Sequence, residues 1–239
     1  MTNYLQVNYD GTIYQYSSTE KQGFVPYTNK NDKTSYRKYF NKGVEGQLTG
    51  AYIKQNPNKN NAEEAYLVLN SGEVTNHLVF PLLNQKGDSL DDYAEALAVM
   101  LPKLEVGRVY NINNWFMKKG DNINGEEVKY NKKGITVKLE GEKIKTDLTF
   151  EHVKGRGTAE EKHVPGDVPM LKWELIAGKN RPTAVSKENR LKFLYDLVTS
   201  NITRLGGTSN TTNASAPANV GSQPQASTEP DIAPDDLPF

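Results

Sequence analysis

Between Lys33 and Gly43 the chain reads KTSYRKYFNKG, which sets the cations Lys33, Arg37, Lys38 and Lys42 among the rings of Tyr36, Tyr39 and Phe40. Cations at this density can follow a row of phosphates, and aromatic faces can stack on planar bases, each stack contributing roughly 1–3 kcal/mol. The pairing of ring and cation recurs downstream. Tyr52 and Lys54 share one face of an expected strand by its period of two, with Ile53 turned the other way. Trp115 and Phe116 are neighbours and so face opposite sides; because Lys118 and Lys119 follow, Trp115 is the candidate for stacking. Tyr130 with Lys132 and Lys133 repeats the pattern at an expected hairpin turn. Plainer roles fit the same residues: a solvated loop whose rings plug the core, a tyrosine closing the end of a barrel, lysines on a surface turn. Thirteen tyrosines, eight of them in the first 52 residues, raise the expectation of stacking in that half, although tyrosine is also an ordinary strand residue.

Catalytic constellations are not expected. His77, His152 and His163 lack the spacing of metal ligands and have no cysteine to join them. Neither a phosphate-cradling Walker loop nor a Gly-x-Ser-x-Gly elbow occurs. The acid pairs Asp91–Asp92, Glu126–Glu127 and Glu160–Glu161 are adjacent, so on a strand their carboxylates diverge, and the first pair suits a helix start. No metal and no cofactor is implied. The absence of cysteine also excludes disulfides, and the amino-terminal MTNYLQVNYDG has neither the basic nor the apolar region of a secretory signal. A cytoplasmic protein is the expectation, with no membrane association.

The elements that must hold these residues are mostly strands. NYLQVNYDGTIYQYS is an expected hairpin turning at Asp10 and Gly11, whereas VPYTNKNDKTSYRKYFNKG shows no sustained period and reads as a basic, aromatic loop or arm. VEGQLTGAYIKQ reads as a strand with a bulge or sharp curvature at Gly46 or Gly50. AYLVLN and EVTNHLVFPLL follow as a hairpin through Ser71 and Gly72. GDSLDDYAEALAVMLPKL changes period to place Leu90, Tyr93, Ala94, Leu97, Met100 and Leu101 on one helical face, capped by Asp88 or Ser89 and ended by Pro102. GRVYNINNWFMKKG is a further strand. KKGITVKLEGEKIKTDLTFEHV is a hairpin whose Ile135, Val137 and Leu139 oppose Ile144, Leu148 and Phe150, with Lys138, Lys143 and Lys145 on the other face. MLKWELI is a candidate edge strand. SKENRLKFLYDLVTSNITRLG is a second helix with Leu191, Leu194, Val198, Ile202 and Leu205 on one side, stopping at Gly206 and Gly207.

Beyond this helix the composition changes. Residues 206–228 carry no charge, no ring and one valine, too little to offset the entropy of ordering, so a flexible linker is expected. The last residues, DIAPDDLPF, set Asp231, Asp235 and Asp236 beside Leu237, Pro238 and a terminal Phe239. Formal charge is zero overall, yet every basic residue lies at or before Arg204; 29 cations against 25 acids leave the body at +4 and the tail at −4. Such a tip suits docking: Phe239 fills an apolar pocket while the aspartates steer toward a basic partner. A solubilising tail is the plainer alternative.

Three strands, a helix and further strands is the order of an OB-fold, a five-stranded Greek-key barrel, although a sandwich with an inserted helix reads similarly. The ending DDLPF resembles the acidic, Phe-terminated tip of bacterial and phage single-stranded-DNA-binding proteins, and the polar linker before it is similar to theirs. The likeness is specific over 229–239, supportive through strand order over 44–150, and carried by no motif in 1–43. The amino-terminal extension and the long stretch before the second helix depart from the compact bacterial form and suggest a phage-type member, which leaves open whether the protein forms the tetramer of the bacterial proteins. The expected organisation is therefore a Tyr/Lys-rich extension at 1–43 on or near the barrel, a mainly β OB domain at 44–205 with one inter-strand helix and a carboxy-terminal helix, a disordered linker at 206–228 and a docking tip at 229–239. The resemblance implies binding of single-stranded DNA without sequence preference in replication, recombination and repair, with replication proteins recruited by the tip. A replisome adaptor that binds no DNA and a single-stranded RNA binder are the alternatives.

Overall fold

Most of the chain alternates with a period of two, and strands dominate accordingly. The computed structural model describes residues 1–29, 31–154, 160–176 and 179–206. Four strands come first: β1 (Thr2–Val7), β2 (Ile13–Ser17), β3 (Val25–Thr28) and β4 (Thr34–Tyr39). Then come β5 (Val44–Asn56), β6 (Ala62–Ser71), β7 (Val74–Pro81), helix α1 (Asp92–Ala98) and β8 (Val109–Met117). After them lie the short β9 (Asn122–Ile123) and β10 (Glu126–Glu127), then β11 (Lys132–Leu139) and β12 (Glu142–Lys143). Two small hairpins, β13 (His152–Lys154) with β14 (Lys162–Val164) and β15 (Trp173–Ile176) with β16 (Lys179–Pro182), precede helix α2 (Ala184–Gly206).

Ten strands form one sheet in the order β12-β11-β8-β5-β6-β7-β1-β2-β4-β3. Every neighbouring pair is antiparallel except β1 and β7, which run parallel from Thr2↔Thr75 to Gln6↔Val79. A five-stranded barrel over β5, β6, β7, β8 and β11 requires β7 to meet β11. The edge of β7 is instead taken by β1, held there by the ladder, by Asn3 Nδ2 donating to Asn76 Oδ1 at 3.0 Å, and by the terminal ammonium donating to the Glu73 carbonyl at 2.8 Å. The sheet is therefore mainly antiparallel and not closed by hydrogen bonds: the expected mainly β fold is present, as one open-edged sheet.

One face of the sheet carries the core. Leu67 and Leu69 on β6, Leu78 and Phe80 on β7, Leu5 on β1, Ile112 on β8 and Val137 on β11 are fully buried against Tyr93 and Leu97 of α1 and Leu194, Val198 and Ile202 of α2. Arg204 ties α2 down by donating to the carbonyls of Leu101 and Leu104 at 2.9 and 3.0 Å. The expected bulge is present between Leu48 and Gly50, and a Cβ on Gly46 would come within 2.8 Å of the Asn70 carbonyl, so the close approach of β5 and β6 needs glycine there.

Four local expectations change. The arm at 25–43 contains a hairpin, β3 with β4, hydrogen-bonded to β2; its apolar residues are confined to Val25 and Pro26 at one end, so no apolar period reveals it. Helix α1 starts later, capped by Asp91 Oδ1 accepting from the Tyr93 amide, because a bridge between Leu83 and Leu90 keeps the preceding segment extended. Asp88 and Ser89 instead accept from the Asn84 side chain, and Pro102 opens a separate 3-10 turn at Leu101–Lys103. The partner of β11 is only two residues long: Ile144 and Leu148 still pack against the core, but Phe150 is 43% exposed. Among the described residues no helix is long and apolar enough to cross a membrane.

Candidate nucleic-acid interface

The alternation that sends aliphatic side chains inward sends rings outward. On β5, β6, β7 and β1 the residues turned from the helices include Tyr52, Tyr66, His77 and Tyr4, placed side by side by the registers Tyr52↔Tyr66 and Tyr4↔His77. Tyr52 stacks face to face on Tyr66, centroids 4.6 Å apart and planes 6° from parallel. Tyr4 stacks on His77 at 4.9 Å and meets Tyr66 edge-on at 6.4 Å. The Tyr52 hydroxyl and His77 Nδ1 are hydrogen-bonded at 2.9 Å. Tyr66 is buried by its neighbours, whereas Tyr4 is 55% exposed and offers an open ring.

The electrostatics of this patch favour an anion. Burial lowers the His77 pKa, so the ring is neutral near pH 7 and adds no charge of its own. Burial, helped by Tyr4, pushes the Tyr52 hydroxyl up to about 12, and the Tyr66 hydroxyl rises further through burial and its bond to Glu64, so both stay protonated donors. Glu64 is the one buried carboxylate here. It accepts from the Tyr66 hydroxyl at 2.8 Å and from Asn56, and Lys59 pairs with it at 3.1 Å, so its charge is matched on the spot. Lys54, opposite Glu64 on the same face, is exposed and forms no ion pair with a described residue.

The basic segment at 33–42 divides between two faces. Arg37 and Tyr39 lie on the outward face, level with Tyr16 and Tyr14. Tyr36, Lys38 and Phe40 take the opposite side, where Phe40 packs against the core with Lys38 5.8 Å above its ring. Lys33 and Lys42 are exposed in the turns before and after β4. Farther along the sheet, Trp115 lies outward and flat over Gly134, where an added Cβ would stand 2.2 Å from the ring, while Phe116 turns in toward Tyr9 at 5.4 Å. Lys118 and Lys119 are exposed at the end of β8, and Tyr130, 65% exposed, lies 5.7 Å from the Lys132 ammonium.

Lys133 belongs to the fold rather than to this surface. Its ammonium sits 3.7 Å over Tyr9, 5.4 Å from Tyr93 and 3.1 Å from Asp92, with the side chain 9% exposed. The same cage binds the β1–β2 turn to α1, since the Tyr93 hydroxyl donates to the Tyr9 carbonyl at 3.1 Å. A cleft of about 680 Å³ beside it, between residues 84–92 and α2, is rich in cations that are already matched: Lys187 with Asp88, Arg190 with Glu95, Lys133 with Asp92. A polyanion gains little from such a cleft.

Sequence reading overlooked Tyr4, Tyr14, Tyr16, Tyr27, Tyr66 and His77 as parts of one surface. The tip residues Asp231, Asp235, Asp236, Leu237, Pro238 and Phe239, and the linker before them, lie outside the described residues. No protein-family model, curated protein or solved structure matches the chain.

Proposed function

We propose that the protein binds single-stranded DNA without sequence preference, across the outward face of β5, β6, β7 and β1. The observation that carries this reading is the Tyr52–Tyr66–Tyr4–His77 cluster: stacked rings on the face turned from the described helices, beside Lys54, which forms no ion pair with a described residue. Bases can extend such a stack whatever their identity, and the cations along the face follow the backbone. Trp115 stands on the same side of the sheet, with the exposed Lys118 and Lys119 just beyond the end of its strand, and lengthens the groove.

The order of β5, β6, β7, α1, β8 and β11 supports an OB-type architecture, whose second and third strands and flanking loops carry oligonucleotides. On this reading β1 has opened the barrel by occupying the edge of β7. The tip at 229–239 recruits proteins of replication, recombination or repair; this rests on its sequence, a terminal Phe among aspartates.

The test is fluorescence anisotropy of labelled dT oligomers, matched RNA and matched duplex at two salt concentrations. The expected result is preference for single-stranded DNA with affinity falling as salt rises, and a loss of about 5- to 100-fold in Tyr52→Ala, the equivalent of one lost stack. Equal affinity for the duplex, or none for either single strand, would overturn the proposal; tighter binding to RNA would reassign the ligand.

A further inference from the structure

The outward rings do not stop at β1. Gln6, two residues after Tyr4, accepts from the Tyr14 hydroxyl at 2.9 Å, and Tyr14 meets Tyr39 with centroids 6.5 Å apart. Beside them Arg37 is held between two rings, its guanidinium carbon 3.3 Å from the centre of Tyr27 and 4.3 Å from that of Tyr14. No described residue accepts a hydrogen bond from this guanidinium, and its Nε is buried without a partner. Strands β1 to β4 contain no acidic residue. A planar cation immobilised by rings, with donors unspent and no carboxylate on its strands, is built to receive an oxyanion.

We infer that β2, β4 and β3 form a second subsite for the same single strand, in which Arg37 clamps a backbone phosphate while Tyr39 and Tyr16, each 38% exposed, stack on the adjoining bases. This rests on the function proposed above and extends it. From β5 to β1 the platform spans three inter-strand steps, about 14 Å; continuing to β3 adds three more, about 14 Å. The second subsite would thus roughly double the length of strand engaged, and a ligand too short to reach it would be blind to its residues.

That blindness is the test. Anisotropy titrations with dT oligomers of about 5 and about 15 nucleotides, near the two ends of the known range of site sizes, are compared in the full chain and in Arg37→Gln, Tyr39→Ala and Tyr52→Ala. Tyr52→Ala is expected to weaken both lengths. Arg37→Gln and Tyr39→Ala are expected to weaken only the longer one, by about tenfold, with the salt slope reduced by about one in Arg37→Gln. Thermal midpoints check folding, and Tyr39→Ala, a change at an exposed ring, keeps the test open if Arg37→Gln disturbs the sandwich. Equal losses at both lengths, or no loss at either, overturn the second subsite. Failure of the parent chain to bind either oligomer overturns the function beneath it.

Discussion

The two faces of the central strands obey one period and opposite chemistries. Inward, Leu67, Leu69, Leu78 and Phe80 are completely buried in a core shared by the other strands and both helices. Outward, at the intervening positions, Tyr66 and His77 are stacked on other rings, Tyr52 and Tyr4. An aliphatic face is satisfied once it is out of water, whatever covers it. An aromatic face with polar tips retains directional capacity: ring planes can still be stacked upon and hydroxyls can still donate. The division teaches that burial alone does not locate function in this sheet; the kind of covering does.

The largest effect should come from the inward face. Phe80→Ala is expected to cost about 3–5 kcal/mol, lowering the thermal midpoint by roughly 6–20 °C, while the folded fraction keeps its affinity for single strands. A variant of normal stability and lost affinity would erase the distinction between the faces.

A pair of lysines sharpens the comparison at smaller scale. Lys133→Met removes the cation caged by Tyr9, Tyr93 and Asp92 and should lower stability by about 1–2 kcal/mol in urea titration, leaving the salt dependence of binding as it was. Lys54→Gln should do the reverse: stability within about 0.5 kcal/mol of the parent, and a salt slope smaller by about one.

The smallest effect concerns His77. Its folded pKa lies below the ordinary 6.5 because burial disfavours the charged ring. Between that lowered value and 6.5 the unfolded chain binds a proton that the folded chain does not, so stability falls as pH drops through this window. Thermal melts from about pH 7 to about pH 5 should show this decline reduced in His77→Gln. Because a bound polyanion favours the protonated ring, affinity should rise over the same interval in the parent and not in the variant.

What could be read in advance follows from where local contrast exists. Strands β5, β6, β7, β8 and β11 alternate aliphatic with polar residues, and both helices show a sustained apolar stripe, so these elements were visible in the sequence. Strand β4 alternates Tyr and Arg with Tyr and Lys, and a period without contrast is silent; β3, four residues long, is too short to show one. The parallel pairing of β1 with β7 joins residues 73 positions apart and leaves no local trace. Within the candidate site, Tyr52 was legible from its parity with Lys54, and Trp115 from Lys118 and Lys119 that follow it. Tyr66 was hidden in the run AYLVLN, although its parity, opposite to that of Ala65, Leu67 and Leu69, marks it as the outward member. Lys133 carried a contrary signal that was available: it shares parity with Ile135 and Val137, hence the inward face.

The placement of β1 also sets an order of events in the cell. The first hairpin leaves the ribosome early, but its parallel partner on β7 is made 73 residues later, an interval of roughly 4 to 15 seconds at ordinary translation speeds. Throughout that delay a tyrosine-rich ribbon has one edge with nothing to pair with. The assembly of the sheet is thus timed by the synthesis of its middle, and the nascent chain must keep β1 from finding another partner before β7 arrives.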